Sequence, residues 1–95
     1  MKRSRAETFL KMAHWFKNQD PATAESYFKC ALTCANSEHG HHSLLFGAVL
    51  VDYAECLELW GRNDEAERYN EEARNILILF VRANGSLLRL PVPSD

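Results

Sequence analysis

The chain has 95 residues, of which 46% are hydrophobic, and a formal net charge of −2. That length holds one domain at most, and so short a chain buries only about 60% of its unfolded surface, which leaves little stability without help from metals, disulfides or partners. The composition excludes a disordered chain, and the charge gives no reason to expect a nucleic-acid partner. Charge is unevenly spread: residues 1–34 hold six Lys/Arg against three Asp/Glu, and residues 35–95 hold five against ten. The basic start, MKRSRAETF, is not followed by an apolar run of signal-peptide length. No apolar stretch approaches the ~18 residues that a membrane span needs. Three cysteines, Cys30, Cys34 and Cys56, all fall in helical pattern. An odd number so placed reads as packed, reduced thiols in a cytoplasmic protein.

The first helix is expected from about Ser4 to Lys17, with Phe9, Met12, Ala13 and Phe16 spaced as one buried face. Asn18-Gln19-Asp20-Pro21 ends it. Asp20 is a natural N-cap, and Pro21 suits the first position of the next helix, where its missing N–H is harmless. That second helix is expected to reach about Asn36, with Ala24, Tyr27, Phe28 and Ala31 on its inner face. Residues 37–43 (SEHGHHS) form the longest expected loop. The third helix runs from His42 or Ser43 to Trp60. Leu50, Tyr53, Ala54 and Leu57 make one apolar stripe, and Leu45, Val49, Cys56 and Trp60 another, so this helix is sandwiched between neighbours. Gly61 is the expected C-cap. Asn63 or Asp64 caps a fourth helix that runs to Ala83, where Asn84-Gly85 stops it. The tail, SLLRLPVPSD, holds two prolines and reads as irregular or extended. No segment alternates with period two, so the expected fold is all-α. Short breaks between long helices favour antiparallel neighbours.

The halves repeat. Residues 9–16 overlay residues 50–57, and Ala24, Tyr27 and Ala31 overlay Ala66, Tyr69 and Ala73, at offsets of 41 and 42. Such a period marks a helical-hairpin repeat. Small residues fall where two antiparallel helix axes come closest, and large ones where they diverge. The stretch from Leu50 to Ala73 resembles a tetratricopeptide repeat, through Leu50, Tyr53, Ala54, Leu57, Gly61, Ala66, Tyr69 and Ala73. The long period and the run NDEAERYNEEA are similar to the kinesin-light-chain variety. Residues 6–35 are a weaker copy, with Gln19-Asp20-Pro21 in place of the turn glycine. The resemblance implies two hairpins (6–38 and 42–83) in right-handed stacking within one domain spanning 1–95, followed by the tail 84–95. It also implies a non-catalytic adaptor, scaffold or small regulator that binds a protein or peptide.

The family's ligand face is built mainly by the first helix of each hairpin. The matching outward positions are Leu10, His14 and Lys17 in the first copy and Val51, Glu55 and Glu58 in the second, a basic edge facing an acidic one. The Lys/Asn clamp with which some relatives hold a terminal carboxylate is not matched, because Leu10 and His14 stand in its place.

Stacked hairpins cover one another's apolar faces, and about three are generally needed for stability. This chain has two. Ala66, Tyr69, Ala73, Leu77 and Phe80 are expected to face inward on the fourth helix. Ile76, Ile78, Leu79 and Val81 wrap its remaining sides and would need cover from the tail (Leu87, Leu88, Leu90, Val92) or from a second chain. A homodimer through these residues is the favoured expectation.

Other groupings carry weaker signals. Cys30, Cys34, His39, His41 and His42 include zinc-ligand types, but the His39–His41 spacing breaks the usual pairing, so neither a metal nor any other cofactor is expected. Cys34 near His39 lacks a third orienting group, and no phosphate-binding loop appears, so no catalytic residue is assigned. Lys2, Arg3 and Arg5 read as a charged, fraying terminus. The alternatives to a protein-binding module are a metal-binding or an RNA-associated small helical regulatory domain.

Overall fold

The computed structural model describes residues 4–84. Four α-helices follow one another: α1 (Arg5–Phe16), α2 (Pro21–His39), α3 (Leu44–Leu59) and α4 (Asn63–Asn84). No strand occurs among the described residues. Pairing is local: α1 packs on α2, α3 packs on α4, and α2 joins the two hairpins by packing on α3.

Each start has a chemical reason. Ser4 caps α1, its Oγ accepting from the Glu7 N–H at 3.3 Å. Asp20 caps α2 through the Thr23 N–H and Thr23 hydroxyl, with Pro21 at the first position. Ser43 caps α3 through the Phe46 N–H. The stops are glycines with positive φ, Gly40 at 98° and Gly61 at 82°, where a side chain would be strained. On α4 the expected cap moves by one residue: Asn63 is already helical, and the Arg62 carbonyl accepts from the Ala66 N–H.

The structure differs from the sequence reading at the end of α2, which continues three residues past Asn36 to His39 and shortens the loop. A distant contact stabilises the extension. The Glu38 carboxylate accepts from the Ser4 hydroxyl at 2.8 Å and from the Arg5 N–H at 3.0 Å. A negative group at the start of α1 also offsets the positive end of that helix. These bonds hold the Glu38 carboxyl below its ordinary range, the Ser4 hydroxyl contributing most.

The core sits between the hairpins. Ala13, Phe28, Ala31, Tyr53, Ala54, Leu57 and Ala66 are buried together, and Phe28 stacks on Tyr53 at 5.1 Å between ring centres. A second cluster joins Ala6, Ala35, Phe46, Leu50, Ala73 and Ile76. The small residues at 24, 31, 54, 66 and 73 are all buried, as close helix approach requires.

Three expected faces need correction. On α1, Met12 is exposed, while Ala6 is buried and Leu10 packs against the core. On α2, Cys30 is exposed rather than packed, while Cys34 is half-buried against the second core cluster; Cys56, on α3, is buried. On α4, Ile76 is 2% exposed and lies inside, whereas Leu77, 51% exposed, does not. Both positions fit a helical stripe through Ala73 and Phe80. Gly47 decides between them, because α3 comes close enough there for Ile76 Cγ2 to lie 3.4 Å from where a Gly47 Cβ would stand. The tail positions Leu87, Leu88, Leu90 and Val92, and Lys2 and Arg3, lie outside the described residues.

Candidate functional site

Two surfaces combine exposure with unusual chemistry. The first lies where α1 meets α3. His14 Nε2 is 3.2 Å from Asp52 Oδ2, and the His14 ring stands edge-on to Phe28. One end of this contact is fastened by Trp60, whose indole N–H donates to the Lys17 carbonyl at 3.1 Å. Of the sequence-derived groove residues, Leu10, His14 and Lys17 are half-buried, and Val51, Glu55 and Glu58 are exposed. The α3 residue that meets His14 is Asp52, which the sequence reading left out. Val51 instead lines a groove between α3 and α4. One residue of helix turns a side chain by about 100°, so the neighbours Asp52 and Val51 face different surroundings.

That second groove lies on the outer side of the α3–α4 hairpin. It has a volume of about 270 Å³, with Leu44, Gly47, Ala48 and Val51 on the α3 wall and Asn70, Ala73, Arg74, Ile76 and Leu77 on the α4 wall. Gly47 was its one sequence signal: an isolated glycine inside a helical pattern marks a close approach. Next to the groove, α4 presents Ile78 and Leu79, 48% and 46% exposed. Val81 is half-buried, and Ile76 belongs to the interior.

A polar lock joins the hairpins elsewhere, linking α2, α3 and the turn before α4. The Glu25 carboxylate on α2 accepts from Arg62 Nη1 at 2.9 Å and Nη2 at 2.8 Å, and from the Tyr53 hydroxyl. Arg62 Nε also donates to Glu65 at 2.6 Å. The paired guanidinium holds the Glu25 and Glu65 carboxyls below their ordinary range. Burial, then the Glu25 carboxylate, push the Tyr53 phenol far up, so it stays a donor throughout the working pH range. Nothing in the sequence spacing announces this lock, because its directly bonded partners are up to 37 residues apart.

The cysteine and histidine positions do not assemble into a donor set. His41 points away to α4 and α3, with Nε2 3.4 Å from Glu72 and its ring 4.5 Å from that of Phe46. Among the described residues no group of three or more His, Cys, Asp or Glu side chains is placed to hold a metal ion. Burial pushes the Cys56 thiol up, which makes it a poor nucleophile.

Two helical hairpins stacked through buried alanines and paired aromatics define the architecture, and a family model for the tetratricopeptide repeat matches residues 4–78. The chain belongs to the tetratricopeptide-repeat family. The resemblance read from Leu50 to Ala73 thus extends over both hairpins. No curated protein and no solved structure matches the chain. Tetratricopeptide repeats are typically non-catalytic, and membership suggests a protein–protein interaction module. No helix among the described residues is long and apolar enough to cross a membrane.

Proposed function

We propose that this tetratricopeptide-repeat chain is a non-catalytic adaptor, scaffold or small regulator of the cytoplasm that binds a protein or peptide and forms a homodimer through α4. One observation carries the dimer: Ile78 and Leu79 are each about half exposed on consecutive positions of the outer side of α4. Exposed large aliphatic residues in a row are a cost in water that a second chain removes. The dimer face comprises Ile78 and Leu79, without the buried Ile76; Val81, two positions on from Leu79, turns to another side of the helix from it. The partner face is the α1–α3 seam, where His14 meets Asp52, with Lys17 on α1 and Glu55 on α3 as further members of the proposed face. Its mixed charge suits a peptide that carries both signs.

The test is mass in solution. Ile78→Glu/Leu79→Glu is expected to halve the light-scattering mass of the full chain while its far-UV helical signal stays unchanged. Should this variant fail to fold, Ile78→Ser/Leu79→Ser makes the same test more mildly. An unchanged mass in a folded variant refutes the α4 interface.

A further inference from the structure

The α3–α4 groove and the Ile78–Leu79 side of α4 are different surfaces, and they call for different occupants. Leu77 lines the groove, whereas Ile78 and Leu79 do not. Successive helix positions diverge by about 100°, so a single flat partner cannot cover Leu77 and Leu79 together. A second copy of the same chain can lie on the Ile78–Leu79 side. It is poorly shaped for the groove, because two identical grooves facing each other across a two-fold axis leave an unfilled space between them.

We propose that the groove between α3 and α4 is the docking site for residues 86–92 of the same chain, SLLRLPV. The occupant's chemistry matches. Leu87, Leu88, Leu90 and Val92 are aliphatic, as are Leu44, Val51 and Leu77 in the groove. The volume of about 270 Å³ suits a few aliphatic side chains and falls below the range of about 300–1,000 Å³ usual for small-molecule sites. Pro91 disfavours helix, and any non-helical segment has backbone carbonyls that need donors. Asn70 and Arg74, the polar side chains of the groove, are donors suited to those carbonyls.

The reach also matches. From Asn84, where α4 ends, Leu77 lies about 10 Å back along the helix and Asn70 about 10 Å further, at ~1.5 Å per residue. A glycine follows directly at Gly85, which permits a reversal. Seven extended residues then span up to about 25 Å, enough to run the length of the groove. A tether this short gives the segment an effective concentration near the millimolar range, which free partners at cellular levels do not match.

Site-directed cross-linking of the full chain tests the docking. In a Cys30→Ser/Cys34→Ser background, Ala48→Cys in the groove is combined with Leu88→Cys and treated with a short bis-maleimide. The expected product is a cross-link within one chain, at a yield independent of protein concentration and well above that of a control pairing Leu88→Cys with Asn75→Cys on the outer side of α4. Equal yields in the two pairs would mean an undocked tail, and a covalent dimer would mean a tail exchanged between chains. Either result overturns the proposal, as does the absence of any cross-link. A second measurement uses Leu88→Asp/Leu90→Asp, which is expected to raise binding of a hydrophobic dye several-fold by uncovering the groove. An unchanged dye signal counts against docking. Light scattering on the same samples reports dimerisation separately, so a monomer with the internal cross-link sinks the α4 dimer and leaves the docking standing.

Discussion

Replacing Tyr53 with Phe removes one oxygen atom from the lock between the hairpins and leaves the packing around it nearly untouched. The ring still lies against Phe28 at 5.1 Å and Tyr69 at 5.0 Å between centres. What is lost is a hydrogen bond from a side chain that is 1% exposed to the Glu25 carboxylate. Bonds to charged groups contribute about 1.5–3 kcal/mol. Glu25 keeps both Arg62 bonds and some access to water, so the low end, about 1.5 kcal/mol, is expected. In a domain this small each kcal/mol moves Tm by about 4–8 °C, so the melting point should fall by about 6–12 °C. Thermal unfolding followed by far-UV circular dichroism at pH 7 measures it, and a cycle with Glu25→Gln isolates the pair. If the two substitutions prove additive, or if Tyr53→Phe shifts Tm by less than about 2 °C, the lock contributes no stability and the reasoning fails.

The same lock sets an acid limit. The Glu25 carboxyl is depressed below its ordinary 4.5, so its contribution is complete above that value and lost as pH falls through the depressed one. Urea denaturation from pH 7 to pH 3 should show stability falling mainly below 4.5, with a smaller fall in Glu25→Gln. Gly47→Ala should stabilise α3 by up to about 1 kcal/mol, because helix propensity improves and the new methyl meets Ile76 at ordinary contact distance. Gly47→Leu should instead part the helices and lower Tm, so a gain in Tm for the larger residue would contradict the close approach. Leu57→Ala empties a fully buried site and should cost about 2–5 kcal/mol by chemical denaturation.

Much of this architecture is legible in the residues because its determinants are local. Asp20-Pro21 and the glycines near 40 and 61 act within a turn of where they stand, and the Ala66–Tyr69–Ala73 spacing states which side of α4 meets α3. Legibility fails where a distant group decides. Ser37, Glu38 and His39 read as loop until Ser4 and the Arg5 N–H supply a partner for the Glu38 carboxylate. Glu25 and Arg62 each pass for solvated charges, and only the stacking of one hairpin on the other brings them to 2.8 Å. The choice between Ile76 and Leu77 cannot be made from spacing alone, because both complete a helical stripe. It takes the close approach of α3 to Ile76 at Gly47, on another helix, to make it.

The carboxylate clasp between Glu38 and the start of α1 changes where this molecule should come apart first. Terminal helices usually fray, and their amide protons then exchange with solvent almost freely. Here the Arg5 N–H is held by Glu38, a residue at the far end of the neighbouring helix. Exchange at the opening turn of α1 should therefore track the unfolding of the whole hairpin, so that the outermost rung reports on the ladder.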